Sequence, residues 1–393
     1  MPDVLTDRSF TLEGSVAADV ADAEAAIIAL NNKAVALADF EVLPRLLLRA
    51  ESVASSKIEG LEIGPRRLLR AEAAIRIGET PRDRTAIEVL ANIDAMVYAV
   101  GRAGSDRAIN LGDLLEIHRR MFASGRLASF GGTIRRQQNW IGGSDFNPCS
   151  AAFVPPPPEA VPLLLADLIQ FCTREDLPAI VQAAVAHAQF ETIHPFVDGN
   201  GRVGRALIHL VLRRRGLTPY VLPPVSLILA TWPRAYIDGL NATRYRGPAS
   251  SVTANRGTNL WVGTFAAAAR RSAVEALAFQ ERIRSIRSQW RERLGPVRAG
   301  SATDLLVHVL PGAPIVTVSS AAGLVARTVQ ATNSAITRLI AAGVLKQVTV
   351  GRRNRAFEAP DIIGAFGDLE RRLTGSANDS STLGPSMRPP QRS

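Results

Sequence analysis

Cysteine is scarce in this 393-residue chain, occurring only at Cys149 and Cys172. Two thiols cannot frame a disulfide scaffold or a cysteine-based zinc site, and their scarcity predicts a reducing, cytoplasmic setting. Lysine is scarcer than arginine by far. It occurs only at Lys33, Lys57 and Lys346, and every other basic residue is arginine. The net charge of +10 invites a nucleic-acid reading. An arginine bias of this kind follows genome composition, however, and a solvated surface accounts for most excess charge. Long hydrophobic runs are missing too. Proline, glycine or arginine interrupts each one, so no membrane span is expected. "MPDVLTDRSF" has neither a basic n-region nor an apolar h-region, so no secretion signal is expected either.

What is present is a folded composition, 47% hydrophobic, over a length that suits two or three domains. The pattern is mainly α. "AADVADAEAAIIALNN" and "LPRLLLRAESVASSKIEG" carry helix formers at apolar spacing, with Gly60 as a stop. "NLGDLLEIHRRMFASG" opens on a capping residue, Asn110. Between Gly131 and Pro158 the glycine pairs, β-prone residues and prolines predict a short hairpin and an exposed loop. "ERIRSIRSQWRERL" reads as a basic connecting helix. The final "SANDSSTLGPSMRPPQRS" is polar and is expected to be disordered.

One stretch gathers unusual chemistry, "HPFVDGNGRVGR", His194 to Arg205. From here Val203, Ala206, Leu207, Leu210 and Val211 form one apolar helical stripe. "DGNG" therefore lies at a helix N-terminus, where free N–H groups and the positive dipole end favour an anion. Glycines let a phosphate approach the backbone closely. Arg202 and Arg205, three apart, face neighbouring directions and suit further phosphate oxygens. Asp198 offers hard oxygens to Mg²⁺. His194, just before the turn, suits a general base. The Gly-Lys-Ser/Thr of a Walker A loop is absent. His118, His187 and His209 read as structural, and Phe196 as packing.

These twelve residues resemble the signature of the Fic family of protein adenylyltransferases, HPFx[D/E]GNGRxxR, at every specified position. The resemblance extends to "TIRRQQNWIGG" and "AAFVPPPPEAVPLLLADL", similar to the family's flap and the segment after it. It continues through "RAYIDGLNATR" and "LWVGTF", so it spans roughly residues 86 to 270. It implies transfer of AMP from ATP, with Mg²⁺, to a Ser, Thr or Tyr hydroxyl of a target protein, the enzyme itself included. His194 is then the base and Asp198 the metal ligand. Gly199, Asn200 and Gly201 hold the α- and β-phosphates, Arg202 supports them, Arg205 meets the γ-phosphate, and Tyr236 helps line the base pocket. An extended edge over Asn139, Trp140 and Ile141 would pair with the target backbone. "SSKIEG" matches the family's inhibitory pattern, so Ser55, Glu59 and Gly60 imply a brake in which Glu59 pairs with Arg205.

The segment from Val316 to Ile362 resembles a winged helix-turn-helix. Arg327, Arg338, Lys346, Arg352, Arg353 and Arg355 make it basic, and Thr332, Asn333 and Arg338 lie on its would-be recognition helix. DNA binding and protein docking both stay open for it, as does a homodimer. The expected layout is a helical segment with the inhibitory helix (1–85), a Fic core with a hairpin flap (86–270), a connecting helix (271–298), a winged helix (299–375) and a tail (376–393). Two other functions also stay open. One is a DNA-binding regulator that senses nucleotide. The other is a Fic enzyme that removes AMP or uses another nucleotide.

Overall fold

Two helices without a solvent face lie at the centre of the molecule. In α7 (Ala179–Ile193) every side chain is buried, and in α8 (Asn200–Arg214) burial runs from Asn200 to Leu212. The expected apolar stripe of α8 is buried, and so is the rest of its circumference. That follows from packing on all sides by α7, by α4 (Arg84–Arg102), by α5 (Leu111–Met121) and by α2 (Val42–Ile58). The computed structural model describes residues 1–36, 42–76, 78–104, 107–123, 125, 127–143, 147–350 and 354–375. Among these are fifteen α-helices and one three-stranded sheet, a mainly α fold. No described helix is long and apolar enough to cross a membrane. The expected tail, 376–393, and the wing arginines Arg352 and Arg353 lie outside the described residues.

Local signals set several boundaries. Asn110 caps α5 with a reciprocal capping box to Asp113. Asp83 caps α4 by accepting from Ala86 N. Gly60, at φ +80°, ends the turn after α2 in a left-handed conformation that favours glycine. After it comes α3 (Pro65–Arg76), with proline at its first position.

The expected break at residue 270 is absent. α11 runs unbroken from Val252 to Leu294, 43 residues, about 65 Å long at the helical rise. α1 (Gly14–Ala36) lies along it, α10 (Pro233–Ala242) crosses it, and α7 and α9 (Val225–Leu229) also pack on it. The arginine-rich second half holds together because its apolar positions, including Phe279, Ile283, Ile286 and Trp290, are buried. Core and C-terminal unit therefore share one helix.

The C-terminal unit comprises α12 (Ala302–Val309), β1 (Ile315–Val316), α13 (Val318–Val325), α14 (Val329–Ala341), β2 (Lys346–Val350), β3 (Asn354–Glu358) and α15 (Pro360–Gly375). The strands are antiparallel in the order β1-β3-β2, with Val348 opposite Ala356. Two faces are covered. Trp290 Nε1 and Arg293 of α11 donate to Asp361 at 2.8 and 2.6 Å. On the other side Leu69, Ala73 and Ala74 of α3 pack with Ile315, Ala356 and Ile363. There Arg66 lies 3.1 Å from the buried Glu358.

Thr332, Asn333 and Arg338 all lie on α14, in different surroundings. Thr332 is fully buried, so it does not lie on an exposed reading face. Arg338 donates to the carbonyls of Leu294 and Pro296 at 3.0 and 2.7 Å, closing the end of α11. The flap differs from a hairpin ladder. Among the described residues its pairing centres on the bridge of Ile141 to Phe153. Gly142 and Gly143 stand at positive φ on one side, and Pro155 to Pro158 on the other have no N–H to donate.

Candidate active site

The site forms where α7 ends and α8 begins. His194 closes α7 in the left-handed region, φ 50° and ψ 60°, with its N–H donating to Phe190 O at 2.9 Å. This is costly for a residue with a Cβ. The chain then reverses through a loop that Asn200 closes. Its side chain accepts from Phe196 N at 2.8 Å and donates to Phe196 O at 2.9 Å. Gly199 caps α8 at φ +77°, and a Cβ there would come within 2.8 Å of the Phe122 ring. Only glycine meets both demands.

His118 props this loop from beneath. Its ring stacks on Phe196 at 3.9 Å, with 5° between planes. Its Nδ1 accepts from Gly132 N at 2.9 Å, which leaves Nε2 to donate to Asp198 O at 3.1 Å. Burial holds this imidazole down to about 4. Phe196 is fully buried, in keeping with packing. Asp198 itself is half exposed, its side chain 51% accessible and one oxygen accepting from Gly199 N. No cluster of three or more His, Cys, Asp or Glu suited to a metal exists among the described residues. Mg²⁺ commonly takes one carboxylate and fills its shell with water and phosphate oxygens, so a lone half-exposed aspartate beside an anion site fits it.

His194 is held neutral. Burial above all, then Arg244 and Arg135, lower it to about 4, against the opposing pull of the Glu191 carbonyl and Glu59. A neutral imidazole is the form that accepts a proton. Arg202 packs over the Phe122 ring at 5.3 Å, with Asp198 3.9 Å from its guanidinium.

Arg205 is 1% exposed and ringed by acceptors. Its Nε donates to Ser55 Oγ, one terminal nitrogen to Ser55 O and to Glu59 Oε1, all at 2.8 Å, and the other to Tyr236 Oη at 3.4 Å. The Glu59 side chain keeps 30% exposure. Burial opposes its ionisation, but Arg205 outweighs this and holds the carboxyl below its ordinary value. The carboxylate also overhangs the first turn of α8. A Cβ on Gly201 would come within 2.1 Å of Glu59 Oε1.

Tyr236 lies beneath Arg205 rather than at an open surface. Its hydroxyl meets His187 Nε2 at 2.8 Å, and it is buried. Asn139 sends its side chain inward, donating to Phe196 O at 3.0 Å. Ile141 spends its backbone on Phe153, and the Trp140 ring is half-buried alongside. Sequence reasoning missed three contributors. Arg135 grips the end of α7, Arg244 covers the Phe153 ring at 3.9 Å, and Glu191 is a buried carboxyl that burial pushes up to about 7. Each is a charged residue whose interior position comes from tertiary packing, and spacing alone gave no sign of it.

Residues 108–212 match the Fic/DOC family, and residues 17–101 match the Fic/DOC family N-terminal region. The chain is thus similar to the Fic/DOC family over these two segments, which together span nearly half of it. It is 36% identical over 118 residues to protein adenylyltransferase fic-1 of Caenorhabditis briggsae, covering 29% of this chain and 21% of that protein. It is 35% identical over 140 residues to protein adenylyltransferase Fic of Drosophila grimshawi, covering 35% of this chain and 27% of that protein. The chain thus spans about a quarter of the length of these relatives. A Fic family protein from Desulfovibrio desulfuricans G20 shares the fold, with a TM-score of 0.55 and 20% identity. That likeness covers 89% of this chain and 97% of the other.

Proposed function

We propose that this protein is an adenylyltransferase held off by its own Glu59. ATP would lie with its phosphates on the first turn of α8, over Gly199, Asn200 and Gly201, with Arg202 and Arg205 beside them. Asp198 would hold Mg²⁺, which supplies charge neutralisation to the phosphates. A Ser, Thr or Tyr hydroxyl of a target protein attacks the α-phosphorus. Its proton passes to the neutral His194 imidazole, the bond from the α-phosphorus to the bridging oxygen breaks, and pyrophosphate leaves. Positioning and charge stabilisation carry such a transfer.

The observation that carries this reading is the Glu59 carboxylate on the first turn of α8. An anion of the protein's own lies where the helix terminus favours one, and it takes up Arg205 at the same time. Both features support a brake that competes with the far end of the triphosphate. The names of the relatives support AMP transfer as the reaction.

The C-terminal unit has the order of a winged helix, α12-β1-α13-α14-β2-β3. Thr332 is buried and the exposed Arg338 is spent on the carbonyls of Leu294 and Pro296, which weighs towards a docking role over duplex reading.

The test is labelling of protein by ATP carrying a radioactive α-phosphate, with Mg²⁺, in wild type, Glu59→Gly and Glu59→Gly/His194→Ala. Labelling concentrated in the single variant is expected. Equal labelling of wild type and Glu59→Gly would overturn the brake. No labelling in any variant that still binds ATP would overturn AMP transfer to the proteins present.

A further inference from the structure

The end of α7 poses a problem that the motif does not solve. The helix is buried throughout, so its last carbonyls have no water to meet and need partners inside the protein. Arg244 reaches Glu191 O at 3.4 Å and Asn139 reaches His194 O at 3.5 Å, but one side chain meets both final carbonyls. Arg135 is 3% exposed, and its Nε donates to His194 O at 2.9 Å and one terminal nitrogen to Ile193 O at 3.4 Å. That same nitrogen donates to Pro156 O at 2.5 Å, and the other to Gln137 O at 3.1 Å. Its backbone N–H donates to Pro195 O at 2.9 Å. Gln137 and Pro156 belong to the two arms of the flap, on either side of the Ile141–Phe153 bridge.

We propose that Arg135 is a positioning residue that fixes the left-handed backbone of His194 and both arms of the flap as one unit. This rests on the reading of His194 as the base. A guanidinium suits the task because its five N–H groups form a rigid planar fork. Its charge also complements the negative end of α7. A lysine in its place keeps the charge but cannot reach carbonyls from three segments in one fixed geometry. The neighbouring flap residue Asn139, through Phe196 O, adds a second tie to the same loop. Arg135 makes none of its contacts with residues 199 to 205, so the anion site does not depend on it.

The experiment uses the full-length chain in the Glu59→Gly background, with Arg135→Lys and Arg135→Gln. Three quantities are read, namely the rate of AMP transfer at saturating ATP, ATP affinity by calorimetry, and the titration of the His194 imidazole by NMR. A misplaced base costs at least about tenfold in rate, so that loss is expected in both variants, with ATP affinity within about twofold of the parent. The charged groups around the His194 ring are Arg244, Arg135 and Glu59. Removing one cation in Arg135→Gln should therefore move the His194 titration upward, while Arg135→Lys leaves it near the parent value. Rates within twofold of the parent would overturn the proposal. So would a loss of ATP affinity that parallels the loss of rate, since that marks general unfolding. If the Glu59→Gly parent transfers no AMP, the function reading fails and the NMR arm still decides the positioning. An unchanged His194 signal in both variants would then overturn it.

Discussion

Two glutamates eight residues apart, Glu51 within α2 and Glu59 just past its end, hold the same helix in opposite ways. Glu51 is fully buried. Its carboxylate accepts from Ser226 N at 2.8 Å and Ser226 Oγ at 2.5 Å, with His209 Nε2 at 2.9 Å. Glu59, at the end of the helix, keeps partial exposure and has one charged partner in contact, Arg205. Between them Asn92 pins the helix at Ser52 O and Ser56 Oγ, at 2.8 and 3.0 Å. The contrast shows where release can occur. Detaching α2 as a body would strand the Glu51 carboxylate and His209 without partners, at a cost of roughly 3–5 kcal/mol for such a buried pair. Opening only the last turn breaks the Glu59 contact and leaves the anchor intact. On the proposed reading of Glu59 as a brake, its release is a local event at Ser55 to Gly60.

Four measurements bear on this contrast. The largest effect is expected from His194→Ala in the Glu59→Gly background, where loss of the base should lower AMP transfer by about 10²–10⁴-fold. A residual rate above a tenth of the parent would remove His194 from that role. Next, Glu59→Gly should raise labelling by roughly 5–150-fold, the range of ordinary coupling energies, while Glu51→Gln should not raise it at all. If both variants activate, α2 leaves as a body and the anchor argument fails.

Third, chemical denaturation should separate the two carboxylates. Glu51→Ala should cost about 3–5 kcal/mol. Glu59→Gln should cost only about 1–2 kcal/mol, because Arg205 keeps Ser55 and Tyr236 as partners. Equal losses would show that exposure does not distinguish them.

The smallest effect concerns pH. His118 and His194 are lowered to about 4 and His187 to about 3. Between the ordinary histidine value and these the unfolded chain binds more protons, so stability falls as pH drops from about 6.5 to 4. Glu191, raised to about 7, acts in the opposite direction, since its folded form takes up a proton first. Three histidines against one glutamate predict a net loss on acidification. Replacing His187 with Gln should flatten the slope of stability against pH. An unchanged slope would exclude His187 from it.

Much of the candidate site was legible because the motif is local. The α8 start, the left-handed Gly199 and the base, acid and arginines all fall within twelve residues, whose spacing maps directly onto one turn and one helix. The caps at Asn110 and the stop at Gly60 were legible for the same reason. The flap was less so. Glycine pairs and prolines mark a departure from helix, but they do not say how much of a ladder survives; among the described residues the pairing centres on the Ile141–Phe153 bridge. The continuity of α11 was hidden too. Its arginine-rich half resembled a separate connector until α15 was seen to cover it, with Phe366 5.3 Å from Phe279 between ring centres.

Chain order alone brings together the groups proposed to meet phosphate and proton, because those groups are neighbours in the sequence and helical periodicity fixes their directions. Tertiary packing decides which other charges join them. Arg135, Tyr236, Glu191 and Arg338 look like ordinary surface or pocket residues in the sequence. The first three become buried ties, and Arg338 an exposed one, only when distant segments come together, because a carbonyl or charge in the fold takes whichever partner comes within reach.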